Sequence, residues 1–147
     1  MKKRVTVLAI CAAVAALPSL HRAFADAALA IGTGPRGAWA SGFQLNAPSF
    51  DAARPKSIEG CLKSAADQKG LGREWGSKNC KVVATFRDEC VAVALDLKDG
   101  EIGAGWAIGK TQAEADRIAL ERCQRSATRG RADFCRVTDR HCDGSAK

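Results

Sequence analysis

At 147 residues, with 46% hydrophobic and 27% charged positions, the chain has the length and balance of one ordinary globular domain, not of a disordered or fibrous segment. Its formal charge of +7 is not a nucleic-acid footprint: the first 25 residues hold four of the 23 Lys/Arg and none of the 16 Asp/Glu, so without them the excess falls to three. That remainder is local, with nine Lys/Arg against six Asp/Glu from Lys110 onward and ten of each from Asp26 to Gly109, the pattern of a solvated face.

In chain order, Lys2, Lys3 and Arg4 precede an Ala-rich apolar run from Val5 to Leu17, Pro18 breaks it, and Ala23-Phe24-Ala25 offers a small-x-small cleavage site. This is the layout of a secretory signal peptide over 1–25, too short to span a bilayer, which takes about 17–25 apolar residues. Residues 26–37 (DAALAIGTGPRG) are small and Gly-rich, and read as a flexible lead-in. They contain Gly32-x-Gly34-x-x-Gly37, which matches a dinucleotide fingerprint but has no strand ahead of it and no patterned helix directly after.

Ala38 to Leu45 reads as a strand carrying Trp39 and Phe43 on one face, weakened by Gly42. Asn46 to Ser49 reads as a loop. Ile58, Cys61, Leu62, Ala65 and Ala66 then form one helical stripe, with Pro55 in the first turn. Leu71 to Asn79 reads as a loop around Trp75, and Cys80 to Phe86 as a strand of β-branched and aromatic residues. After the polar turn Arg87-Asp88-Glu89, Cys90 to Leu97 is a near-continuous apolar run of central-strand character. Lys98-Asp99-Gly100 turns the chain into a partner strand from Glu101 to Ile108, whose Gly103 and Gly105 call for something bulky across them, Trp106 or another aromatic. Thr111-Gln112-Ala113-Glu114 is a capping box. It opens a helix with Ala115, Ile118, Ala119 and Cys123 on one face and Glu121 and Arg125 spaced for an ion pair. Phe134 to Thr138 is a last short strand, and 143–147 a tail.

Six cysteines remain beyond Cys11, and an even number in an exported chain reads as a disulfide framework with fifteen possible pairings. Without a Cys-x-x-Cys pair, and with His141 the one histidine past residue 25, zinc is not expected. The cysteines fall into two sets of the same order, Cys61, Cys80, Cys90 and Cys123, Cys135, Cys142: one on a helix, one opening a strand (CKVV, CRVT), one closing it (RDEC, DRHC). This is a diverged duplication. Repeat symmetry selects Cys61–Cys80 and Cys123–Cys135 within the repeats, and Cys90–Cys142 between equivalent strand ends across the pseudo-axis.

The pattern Gly105-Trp106, Ala113-Glu114-Ala115, Ala119-Leu120-x-x-Cys123, Cys135-Arg136-Val137 and Cys142, preceded by Asn79-Cys80-Lys81-Val82-Val83 and Phe86-Arg87-Asp88-Glu89-Cys90-Val91-Ala92-Val93-Ala94, resembles the bacterial domain of unknown function 4189. The resemblance runs from Ala38 to Cys142. It departs at Ser57-Ile58-Glu59-Gly60-Cys61, where that family usually carries Ala-Leu-x-x-Cys. It implies an exported bacterial protein with a small α/β domain, and no catalytic residues.

Three patterns with catalytic look-alikes have ordinary structural readings. Gly109-Lys110-Thr111 ends like a phosphate loop, but the first glycine of that loop would be residue 104, which is Ala104, and Trp106 and Ile108 are strand residues. His141, wedged between Arg140 and Cys142, reads as an exposed residue rather than a general base. Paired carboxylates from Asp88, Glu89, Asp96, Asp99 and Glu101 would serve a cell-wall glycan hydrolase, but charged turn residues are ordinary.

The expectation is therefore an α+β fold: a small mixed or antiparallel sheet with two helices from a duplicated β-β-α-β unit, disulfide-braced, as a single domain over 38–142. Its expected function is that of an exported, non-catalytic protein-binding module of inhibitor, immunity or effector type, periplasmic or secreted, with a small cell-wall hydrolase as the alternative. It is expected to need no cofactor and no nucleic acid, and to contact another protein or the envelope surface, with Trp75, Arg125, Arg129 and Arg131 as candidate contacts.

Overall fold

The computed structural model describes residues 25–34, 37–68, 71–98, 103–144 and 146–147. Apart from Ala25, the expected signal peptide lies outside the described residues, as do Asp99, Gly100 and Glu101. Chain order is β1 (Asp26–Thr33), β2 (Trp39–Ala47), α1 (Phe50–Asp67), α2 (Gly72–Asn79), β3 (Lys81–Arg87), β4 (Cys90–Asp96), β5 (Ala104–Gly109), α3 (Gln112–Ser126), a 3-10 turn (Ala132–Phe134) and β6 (Cys135–Cys142).

The fold is α+β, with two three-stranded antiparallel sheets in place of one. The first has the order β2-β1-β3 and the second β5-β4-β6. In each, the first strand of its half is central, the second returns beside it, and the strand after the helix closes the other side. The sheets pack face to face around Leu29, Ile31, Trp39, Phe86, Val91 and Val93. α1 and α2 cover the outside of the first sheet and α3 the outside of the second.

The segment expected as a flexible lead-in is thus the central strand β1, buried along nearly its whole length. Its pattern misleads because both faces are covered. Leu29 and Ile31 point at the other sheet, whereas Ala28 and Ala30 point at α1, so large alternates with small rather than apolar with polar. β4 repeats the device, with Val91 and Val93 toward the other sheet and Cys90, Ala92 and Ala94 toward α3.

The small outer faces let the helices lie almost on the sheet backbone. A Cβ on Gly42 would stand 2.1 Å from Cys61 N and 2.3 Å from Ser57 O. A Cβ on Gly105 would stand 2.3 Å from Ala119 O and 2.4 Å from Cys123 N. No bulky side chain crosses Gly105, as the sequence suggested; the backbone of α3 does. The matching helix seams are Ala53, Ser57, Cys61 and Ala65 on α1 and Ala115, Ala119 and Cys123 on α3, small residues every fourth position.

α1 starts earlier than its stripe suggested. Ser49 accepts from Ala52 N at 3.2 Å and caps it, which leaves Pro55 inside the helix beyond its first turn. Leu71 to Asn79 is not a loop: most of it is α2, whose Gly76 packs on Leu62 and Ala65 of α1. At α3, Thr111 Oγ1 accepts from Glu114 N at 3.2 Å while Glu114 Oε2 accepts from Lys110 N at 2.8 Å, so the capping box closes one residue further back than its usual form. Glu121 pairs with Arg117 rather than Arg125.

The three disulfides are Cys61–Cys80, Cys123–Cys135 and Cys90–Cys142. The first two tie a helix to the strand after it. Cys90 does not close β3 but opens β4, directly opposite Cys142 on β6, so this bridge lies inside the second sheet and does not span a pseudo-axis. Every bridge therefore stays within its own half, and noncovalent contacts hold the halves together. Among the described residues no helix is long and apolar enough to cross a membrane.

Candidate functional site

The two sides of the sandwich differ. On the β2/β6 side, His141 packs against Phe43 with ring centroids 4.7 Å apart and the ring planes tilted by 58°, so it is half-buried and not an exposed tail residue. At the same end, Asn46 N donates to Asp143 Oδ1 at 2.6 Å, Gly144 N donates to Asn46 Oδ1 at 3.3 Å, and Asp143 N donates to Glu89 O at 2.9 Å. Asn46 and Asp88 both adopt positive φ (52° and 51°) to make this junction. The start of the expected tail is thus a buried plug between the halves.

The carboxyls of Asp143 and Asp26 at this end are shifted in opposite directions, and Asp96, at the far end of β4, is shifted the same way as Asp26. Burial pushes the Asp143 carboxyl up, against the backbone amides of Asn46 and Asp88 and with the charges of Asp88 and Asp26. Hydrogen bonding from Arg87 holds Asp26 below its ordinary value, and Arg131 does the same for Asp96. The stability contributed by Asp26 and Asp96 is present above the ordinary carboxylate range and is lost as pH falls through their lowered values. Asp143 acts the other way: the fold holds its proton more tightly than the unfolded chain, so its penalty grows as pH rises and is full above its raised value. Asp143→Asn keeps an oxygen for Asn46 N and removes the charge. The variant is expected to have a higher urea midpoint than the parent at pH 7, and the gap is expected to close as pH falls and the parent protonates. A gap that persists unchanged at acid pH contradicts this account.

On the β3/β5 side the sandwich opens into a cleft of about 300 Å³ whose walls include Ile31, Trp39, Lys78, Lys81, Val83 and Trp106. Trp39 begins β2 and forms the floor, 7% exposed. Its Nε1 is buried with no acceptor among the described residues. Trp106 projects from β5 and carries the guanidinium of Arg122 5.7 Å from its ring centroid. Lys78 lies in the last turn of α2 and is paired with Glu74 at 2.8 Å, and Lys81 opens β3 just past the Cys61–Cys80 bridge.

None of the contacts nominated from sequence, Trp75, Arg125, Arg129 and Arg131, lines this cleft. Trp75 lies in α2 with its indole over Gly32 and Gly34, where added Cβ atoms would meet it at 3.2 and 2.9 Å. Those glycines accommodate an indole; they do not cradle a dinucleotide. Arg131 is half-buried, and its guanidinium pairs with the fully buried Asp96 and donates to Lys98 O. Arg125 and Arg129 are exposed at and beyond the end of α3. Lys110, the lysine of the phosphate-loop look-alike, pairs with Glu89 at 2.9 Å. Sequence reading placed Trp39, Lys81 and Trp106 in strands and Lys78 within a loop, and gave none of them a binding role. The signal that singles them out is their convergence, which needs both sheets.

A family model for a domain of unknown function, DUF4189, matches residues 26–142. The chain belongs to the DUF4189 family. The match starts at the first residue of β1 and ends at the last of β6, so the DUF4189 domain coincides with the two-sheet unit and contains all three disulfides and the cleft. No curated protein and no solved structure matches the chain.

Proposed function

We propose that this DUF4189 protein is an exported, non-catalytic binding module, built by duplication of a β-β-α-β unit, that holds another protein or an envelope component as an inhibitor, immunity or effector protein does. The observation that carries the reading is the cleft on the β3/β5 side, where two indoles and two ammonium groups meet on a disulfide-braced frame. Indoles are the side chains that most often anchor interfaces, and the bridges and signal-peptide pattern suit an oxidising compartment.

The hydrolase alternative is weakened because Asp96, one of its nominated carboxylates, is fully buried, accepts from Lys98 N at 2.9 Å and is paired with Arg131. A free, water-facing carboxylate is what that chemistry needs. The test is a pull-down from envelope extract with the mature protein and with a Lys78→Glu/Lys81→Glu variant of equal stability. One stoichiometric partner, captured by the parent and lost by the variant, is expected. Release of fragments from peptidoglycan by the parent, abolished by Glu101→Gln, would replace this reading with the hydrolase.

A further inference from the structure

The binding-module reading says that the cleft holds something; its walls also say what chemistry it takes. A register shift between Leu29 and Ala30 leaves Val83 as an extra residue in β3, since Leu29 pairs with Ala84 and Ala30 with Val82. The consequence is a change of face along one strand. Ala84 and Phe86 point between the sheets, whereas Val82, two residues earlier, packs with Ala28, Ala47 and Ala53 under α1. In an unbroken strand Val82 would share the face of Ala84. The bulge turns Lys81 and Val83 to the cleft instead, a re-aiming that bulges perform beside binding sites.

Charge and polarity then narrow the occupant. Lys78 is paired with Glu74 at 2.8 Å, while Lys81 has no acidic partner among the described residues. With Lys78 offset by Glu74, the described walls carry one unpaired positive charge, at Lys81, which suits a monoanion better than a phosphate dianion. Among the described residues no arginine lines the cleft to form a fork for a phosphate. Trp39, Trp106 and Val83 supply an apolar bed beside the ammonium groups, and the Trp39 indole N–H has no acceptor among the described residues, an unusual state for a buried donor.

We infer that the β3/β5 cleft binds a monocarboxylate with an aromatic or aliphatic body, the carboxylate at Lys81 and the body against Trp39 and Trp106. The same chemistry is offered by a free organic acid or by an apolar residue at the C-terminus of a protein chain. The probes are N-acetyl-phenylalanine, its amide, inorganic phosphate, and a hexapeptide ending in Phe with a free or an amidated C-terminus. Binding to the full mature chain is read by indole fluorescence and by the Trp39 Nε1–H resonance.

Saturable binding of N-acetyl-phenylalanine is expected, with the amide weaker by about tenfold or more, the loss typical of one charge-assisted hydrogen bond. Lys81→Gln is expected to weaken the acid by a similar factor and leave the amide unchanged, and Lys98→Gln to change neither. A free-ended hexapeptide that binds tighter than the single amino acid assigns the source to a protein terminus; the reverse assigns it to a free acid. Equal binding of acid and amide, tighter binding of phosphate, or no saturable binding overturns the inference. If those results come with a partner whose capture depends on Lys81, the binding module stands and only the carboxylate chemistry falls.

Discussion

Gly105→Ala is expected to destabilise the domain by about 3 kcal/mol, the upper end of what an overpacked core site loses. The new methyl would stand 2.3 Å from Ala119 O and 2.4 Å from Cys123 N, and both are helix backbone that cannot rotate away. α3 would have to lift from β5, carrying Cys123 and its bridge to Cys135 with it. Gly42→Ala is expected to act alike on α1, where the methyl meets Cys61 N at 2.1 Å. Gly60→Ala is the contrast. Its methyl would meet Gly42 Cα at 3.2 Å, a small misfit opposed by a helix-propensity gain of about 1 kcal/mol, so little net change is expected. Urea midpoints separate the cases: at a slope of about 1–3 kcal/mol per molar, the first two should fall by 1 M or more and the third should stay near the parent. A Gly105→Ala protein with the parent's midpoint would mean that α3 does not lie on the sheet backbone.

Replacing Cys90 and Cys142 together by alanine is expected to have the largest effect of the three bridge deletions, about 4 kcal/mol against about 3 for either of the others, because the loop it closes is longest. The separations are 52 residues for this pair, 19 for Cys61–Cys80 and 12 for Cys123–Cys135. Its removal also frees the C-terminal end of β6, next to the point where Asp143 plugs the junction with Asn46. Guanidinium unfolding of the three double variants gives the order directly. Hydrogen exchange then shows whether β6 amides lose protection first in the Cys90/Cys142 variant. Equal losses for all three would show that loop length does not govern these bridges.

What the halves share and what joins them are separate matters. Each has its own sheet, helix cover and bridges, and the Gly42–Ser57–Cys61 contact of the first is matched by Gly105–Ala119–Cys123 in the second. No disulfide crosses between them. The joint is the apolar inter-sheet face together with the Asp143 plug, and that is why the two sides of the sandwich can differ, one closed by His141 on Phe43 and the other left open as the cleft.

Local chemistry alone made several features legible. The Thr111-to-Glu114 cap, the apolar run of β4 and the recurring cysteine order each depend on residues a few positions apart, or on one covalent chemistry, and need no knowledge of the fold. The order also selected the three pairs found bonded, although Cys90–Cys142 is a bridge between neighbouring strands of one sheet and not the cross-axis link inferred. β1 escaped notice because a strand covered on both faces shows no polar alternation, and an Ala- and Gly-rich one lacks β-branched weight as well. α2 escaped because GREWGSKN has weak propensity of its own and is held by Gly76 against α1 and by Trp75 over Gly32 and Gly34.

By itself, then, the sequence determined the covalent frame, the helix and strand content of the second half, and the family. Only the tertiary structure decided that there are two sheets, that Gly42 and Gly105 are helix contacts, that Arg131 and Asp96 are spent on each other, and that a β3 bulge turns Lys81 toward Trp39 and Trp106. The division has one physical reason. Caps, runs and cysteines are set by neighbours along the chain, whereas a cleft is set by which faces are left uncovered once two sheets pack, and that depends on residues far apart in sequence.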